Sequence, residues 1–133
     1  MARCILWFCF LFPTYSIAGL TPTELKRDMI IKKSIKIKKA IYLFNGYANS
    51  TDPLLQVKGN NITIDFNNAI LQGSNDQLVP GNFYGLAILV NGNNITIKNA
   101  RINGFKVGIM ARGCKNLKII NSDLSYNYRQ HLH

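Results

Sequence analysis

The hexapeptide Gly-Asn-Asn-Ile-Thr-Ile is written twice in this chain, at 59–64 and at 92–97, an offset of 33 residues. A repeat at fixed offset means that one structural unit is built again beside itself, which restricts the fold before any other feature is weighed. A third, more divergent copy emerges when residues 93–105 are set over 115–127. Ile95 then meets Leu117, Ile97 meets Ile119, Asn99 meets Asn121 and Ile102 meets Leu124, all at an offset of 22. The first copy runs two residues longer before Ala69, and residues 74–85 supply the rest of its larger offset. The basic step is about 22 residues, and the longer one is a step plus an inserted loop.

Within each step the aliphatics alternate, as in Ile62 and Ile64 or Ile95 and Ile97, and turn-forming Gly-Asn-Asn triplets separate the pieces. Period two predicts strands. No stretch after residue 30 holds helical spacing for ten residues, so crossover helices between strands are not expected. Short strands joined by tight turns satisfy their backbone groups by pairing with the equivalent strands one step above and below, about 4.8 Å away. That arrangement is a parallel β-helix. It predicts two aliphatic columns, Ile62 on Ile95 on Leu117 and Ile64 on Ile97 on Ile119, with Asn99 and Asn121 in matching turns where a left-handed backbone and side-chain hydrogen bonds suit asparagine. A leucine-rich repeat shares the period, but Asn121 follows Ile119 by two residues rather than three, and the return segment beginning at Leu124 reads as a strand.

Both ends of such a stack need covers. Thr21-Pro22-Thr23-Glu24 has the form of a helix capping box with proline at the first helical position, so a short capping helix over 25–29 is expected. The first coil then begins with Ile35 and Ile37 pointing inward. No matching cover is written near His133, and the chain reads as C-terminally truncated after about four coils. The organisation expected is a leader at 1–18, an N-terminal cap at 19–34 and β-helix repeats over 35–133.

The leader reading comes from Arg3, the apolar run 4–12 and the Ser16-Ile17-Ala18 cleavage pattern, which together resemble a secretory signal peptide. A secreted, periplasmic or cell-surface location follows, with no membrane span after cleavage. Cleavage removes Cys4 and Cys9, so Cys114 stands alone, no intrachain disulfide is available, and stability must come from packing. Loss of Arg3 takes the cations from 16 to 15 against 6 acids, a net charge of +9. The expected partner is therefore anionic: an acidic polysaccharide outside the cell rather than nucleic acid.

The segment GLAILVNGNNITIKNARINGFKVGIMARGCKNLKIINSDLSYN resembles the right-handed parallel β-helix repeats of the pectin-lyase-like superfamily, with the similarity covering roughly 55–127. The resemblance implies a right-handed coil and a secreted protein acting on acidic polysaccharide as a lyase or epimerase. The other reading is a non-catalytic glycan-binding or structural module. One Glu and five Asp support a hydrolase poorly, and the Asp-Pro-His signature of alginate epimerases is missing, since Leu54 follows Asp52-Pro53. Elimination from a uronate needs instead a cation for the carboxylate and a base for the α-proton. The C-terminal segment offers Tyr126, Arg129 and His131 as candidate catalytic residues, with Tyr128, Lys106 and Arg112 as candidate substrate-binding residues. His131 and His133 have the spacing of two metal ligands but no third ligand nearby in sequence. No metal or cofactor is expected, and the full-length chain is expected to be a monomer.

Overall fold

The structure is a computed structural model that describes residues 19–49, 51–74 and 80–128. The leader pattern at 1–18 and the segment from Arg129 to His133 lie outside the described residues. Among the described residues eleven short strands follow one another: β1 (Met29–Ile31), β2 (Ile35–Lys36), β3 (Ile41–Leu43), β4 (Pro53–Lys58), β5 (Ile62–Asp65), β6 (Ile70–Gln72), β7 (Leu86–Asn91), β8 (Ile95–Lys98), β9 (Arg101–Asn103), β10 (Val107–Ala111) and β11 (Leu117–Ile120). They form three sheets with the orders β1-β4-β7-β10, β2-β5-β8-β11 and β3-β6-β9, and every pairing is parallel. Consecutive strands visit the three sheets in turn, so each coil contributes one strand to each sheet. In the fourth coil the third sheet is represented by a single parallel bridge from Asp123 to Arg101. The chain is an all-β parallel stack, an arrangement compatible with a parallel β-helix.

The two hexapeptides are direct partners. Ile62 pairs with Ile95 and Ile64 with Ile97, and Leu117 and Ile119 continue the same two columns. Each letter of the motif has a physical reason. Gly59 and Gly92 have φ of 131° and 146°, and a Cβ on Gly92 would lie 1.7 Å from the Gly59 carbonyl oxygen, so only glycine lets the coils approach here. The first asparagine caps the coil above: Asn60 Oδ1 accepts from the Asn93 N–H at 2.9 Å, and Asn93 Oδ1 accepts from the Lys115 N–H at 3.0 Å. The second sits in the left-handed region, with φ of 56° at Asn61, 55° at Asn94 and 57° at Asn116. Its amide donates to the coil below, from Asn94 to Asn61 at 3.0 Å and from Asn116 to Asn94 at 2.9 Å. The isoleucines then face inward and the threonine outward.

A second polar ladder runs up the next corner. Asn121 Nδ2 donates to Asn99 Oδ1 at 2.8 Å, and Asn99 Nδ2 donates to Asp65 Oδ1 at 2.9 Å, with φ of 48° and 55° at the two asparagines. The inserted loop falls where the sequence places it: residues 73–85 join β6 to β7, whereas only 104–106 join β9 to β10.

The core is aliphatic and aromatic, and every buried residue in it is apolar among those described. Ile37, Leu55, Val57, Ile64, Leu71, Val90, Ile97 and Ile102 are fully enclosed, with Phe66 and Phe105 filling corners. Enclosing each such side chain stabilises the stack by about 1.5–3 kcal/mol relative to exposure.

At the N-terminal end the structure corrects one expectation: there is no capping helix. Residues 25–29 are not helical, and Thr23 forms a parallel bridge to Ile37. Its N–H donates to the Lys36 carbonyl and its carbonyl accepts from the Lys38 N–H, both at 2.8 Å. An extended strap closes the edge of β2, and Leu25 is buried beneath it. A five-residue helix makes few hydrogen bonds for the residues it fixes, whereas a strap over an open edge satisfies groups already in place. The first coil also begins earlier than expected, since Met29–Ile31 pairs with β4.

Candidate functional site

Alternation along β2, β5, β8 and β11 directs every second side chain away from the core. One outward row is Thr63, Thr96 and Lys118, and the other is Lys36, Asp65, Lys98 and Ile120. The corner leading into this sheet adds more positive charge. Lys32 and Lys33 stand before β2, Lys58 ends β4 opposite Asn91, Arg112 follows β10, and Lys115 precedes β11; all five are exposed. Strand spacing places neighbouring members of these rows about 4.8 Å apart along the stack. A shallow depression of about 350 Å³ lies on the same face, lined by Asn94, Thr96, Asn116 and Lys118.

Asp65 is the carboxylate of this face. Its Oδ2 is 3.6 Å from Lys98 Nζ, and its Oδ1 accepts from Asn99 Nδ2 and, at 2.8 Å, from the Asn67 N–H. Burial alone would raise its pKa, but these hydrogen bonds and the Lys98 and Lys36 charges outweigh it and hold the carboxyl below its ordinary value. A depressed folded pKa stabilises the fold above the ordinary value of 3.8 and loses that contribution as pH falls through the lower folded value. The urea midpoint is therefore expected to fall on acidification below 3.8, and Asp65→Asn to flatten that part of the profile. An unchanged profile in the variant would contradict this assignment. Asp123, on the third sheet beside Arg101, is also lowered, chiefly by hydrogen bonds from Ser125.

The residues singled out from the sequence are dispersed. Arg129 and His131 are outside the described residues. Tyr126 sits at a corner with φ of 61°, exposed, its ring 5.9 Å from that of Phe83. Tyr128 is also exposed and lies under the Lys106 ammonium, 5.8 Å from the ring centroid. Tyr126, Tyr128 and Lys106 thus gather at the corner between the third and first sheets. Arg112 does not join them. It follows β10 while Lys106 precedes it, and six residues of extended chain separate the two by roughly 20 Å. Sequence reasoning missed the face on the second sheet, although its signal is plain in the alternation of Ile35-Lys36, Ile97-Lys98 and Leu117-Lys118.

Cys114 is half-buried, and its thiol lies 3.1 Å from the Val90 carbonyl oxygen. Among the described residues no group of three metal-ligating side chains comes together, and no helix is long and apolar enough to cross a membrane. No family model matches the chain, and neither a curated protein nor a solved structure matches it.

Proposed function

We propose that the protein is a right-handed parallel β-helix that binds an extended acidic polysaccharide along the basic face of its second sheet. The observation that carries this reading is the charge distribution. Cations recur on every coil of that face and its leading corner, while Asp65 is the carboxylate among them and is already paired with Lys98. A linear polyuronate carries a carboxylate on each sugar and can lie along such rows, gaining attraction from several coils at once. Export by the leader pattern at 1–18 would place the face where acidic glycans occur.

Binding is favoured over turnover because the charge that repeats from coil to coil lies away from the tyrosines, beside which Lys106 stands over Tyr128. The tyrosines stand at the corner between the third and first sheets, and the dense positive charge stands at the corner between the first and second. A lyase or epimerase site built on Tyr126, Arg129 and His131 is the second reading. It requires turnover of a polyuronate, seen as absorbance of an unsaturated product or as altered uronate stereochemistry.

The test of binding compares two triple variants with the same change in net charge. Lys58→Glu, Arg112→Glu and Lys118→Glu reverse the face, and Lys26→Glu, Lys39→Glu and Lys106→Glu reverse exposed positions elsewhere. Affinity for polyuronate at low salt should fall at least about tenfold, some 1.4 kcal/mol, in the first and much less in the second. Added salt should weaken wild-type binding. Equal losses in both variants would reduce the effect to net charge and remove the face from the proposal.

A further inference from the structure

Alternation on the first sheet sends one row of side chains away from the core on every coil. The row is Ile30, Gln56, Leu89 and Met110, which are partners across β1, β4, β7 and β10. The residues on either side of it in the chain, Ile31, Leu55, Val57, Ile88 and Val90, are enclosed. Three of the four outward residues are apolar: Ile30 is 45% exposed, and Leu89 and Met110 are half-buried. They make an apolar ridge roughly 14 Å long up the side of the stack, the kind of surface that meets something other than water. The row beside it identifies the kind of surface it meets. Two residues further along each strand stand Lys32, Lys58, Asn91 and Arg112, with all three cations exposed and roughly 6.6 Å from the ridge. Asp28, two residues before Ile30, is engaged by the Tyr47 hydroxyl, which donates to it at 2.6 Å.

We infer that this ridge docks the protein on an anionic lipid surface. Ile30, Leu89 and Met110 enter the boundary between headgroups and acyl chains, and Lys32, Lys58 and Arg112 reach the phosphates beside them. Long basic side chains suit that position because their stems lie along apolar surface while their charges stay in the headgroup layer. Attraction to an anionic leaflet holds the cations near the surface, and burial of the ridge adds a contribution that salt does not screen. An extended polysaccharide would use the cations and leave the aliphatics in water, so the pairing of the two rows is what selects lipid. Gln56 interrupts the ridge and keeps the contact shallow and reversible. The cations of this corner are shared with the glycan face proposed above, but the ridge is not, so substitutions confined to the ridge separate the two readings.

Leu89→Trp puts an indole on the ridge, and Thr63→Trp puts one on the outward face of the second sheet as a control. Each full chain is titrated with vesicles of phosphatidylglycerol mixed with phosphatidylcholine, and with vesicles of phosphatidylcholine alone. Subtracting the emission of the unsubstituted chain removes Trp7, the one native tryptophan. The indole at 89 should shift to shorter wavelength and be quenched by brominated acyl chains on the anionic vesicles only, while the indole at 63 should keep its emission in water. Replacing Ile30, Leu89 and Met110 together by glutamine continues along the row the residue already present at 56. That chain should bind anionic vesicles at least about tenfold more weakly while keeping its polyuronate affinity and its urea midpoint. An unshifted indole at 89, an equal shift at 63, or a glutamine triple that holds vesicles as tightly as wild type would overturn the proposal. So would sedimentation showing a dimer that the triple dissolves, which would give the ridge to a second copy. Wild-type chain that passes the vesicle tests without binding polyuronate would sink the glycan reading and leave this one standing.

Discussion

Gly92→Ala is expected to cost about 3 kcal/mol or more, enough to leave a stack of this size largely unfolded under mild conditions. The added methyl would lie 1.7 Å from the Gly59 oxygen and 2.8 Å from its carbonyl carbon, and both are backbone atoms that cannot rotate aside. Relief requires the coils to part where the Gly59 N–H donates to the Asn91 carbonyl at 3.2 Å. The φ of 146° adds strain of its own. Gly113→Ala is the control, since that residue has φ of 61° and nothing within 4 Å of its would-be Cβ. It bears only the left-handed penalty, about 1–2 kcal/mol. Urea midpoints at unchanged slope separate the two, and equal shifts would show that the close approach of the coils is not what fixes glycine in the motif.

That contrast bears on how much of the molecule could be read in advance. The repeat was legible because stacking puts chemically equivalent atoms next to each other, so identical letters become direct partners. Ile62, Ile95 and Leu117 align at offsets visible in the sequence, and Asn99 and Asn121 reveal a turn ladder for the same reason. What did not repeat was read less well. Thr21-Pro22-Thr23-Glu24 carries local helix signals, yet Thr23 is claimed by backbone partners on Ile37 and its neighbours, contacts that local sequence cannot register. The strand at Met29–Ile31 is only three residues long and lies within a lysine-rich run, so its partner in β4 was hidden.

The candidate site was legible in kind rather than in place. Positive charge pointed to an anionic partner, but nothing local in the sequence marks Arg112 and Lys106 as standing at different corners. In a stack, residues close in sequence are carried to different corners, while residues one coil apart become neighbours. The face on the second sheet is written in every other residue of strands separated by 22 to 33 positions, and alternation makes it one surface.

Ile97→Ala and Ile119→Ala make the same chemical change in one column and are expected to differ severalfold in cost. The two residues are Cα partners on adjacent coils. Ile97 is fully enclosed between coils, so truncation removes contacts on all sides and leaves a cavity, at about 2–5 kcal/mol. Ile119 is 42% exposed and among the described residues has a strand neighbour below but none above, so truncation should cost under about 1 kcal/mol. Sequence alignment gives the pair equal status, and only their level in the stack distinguishes them. Urea midpoints of the two variants measure the difference directly. Comparable losses at the two positions would mean that the β11 edge is already covered in solution.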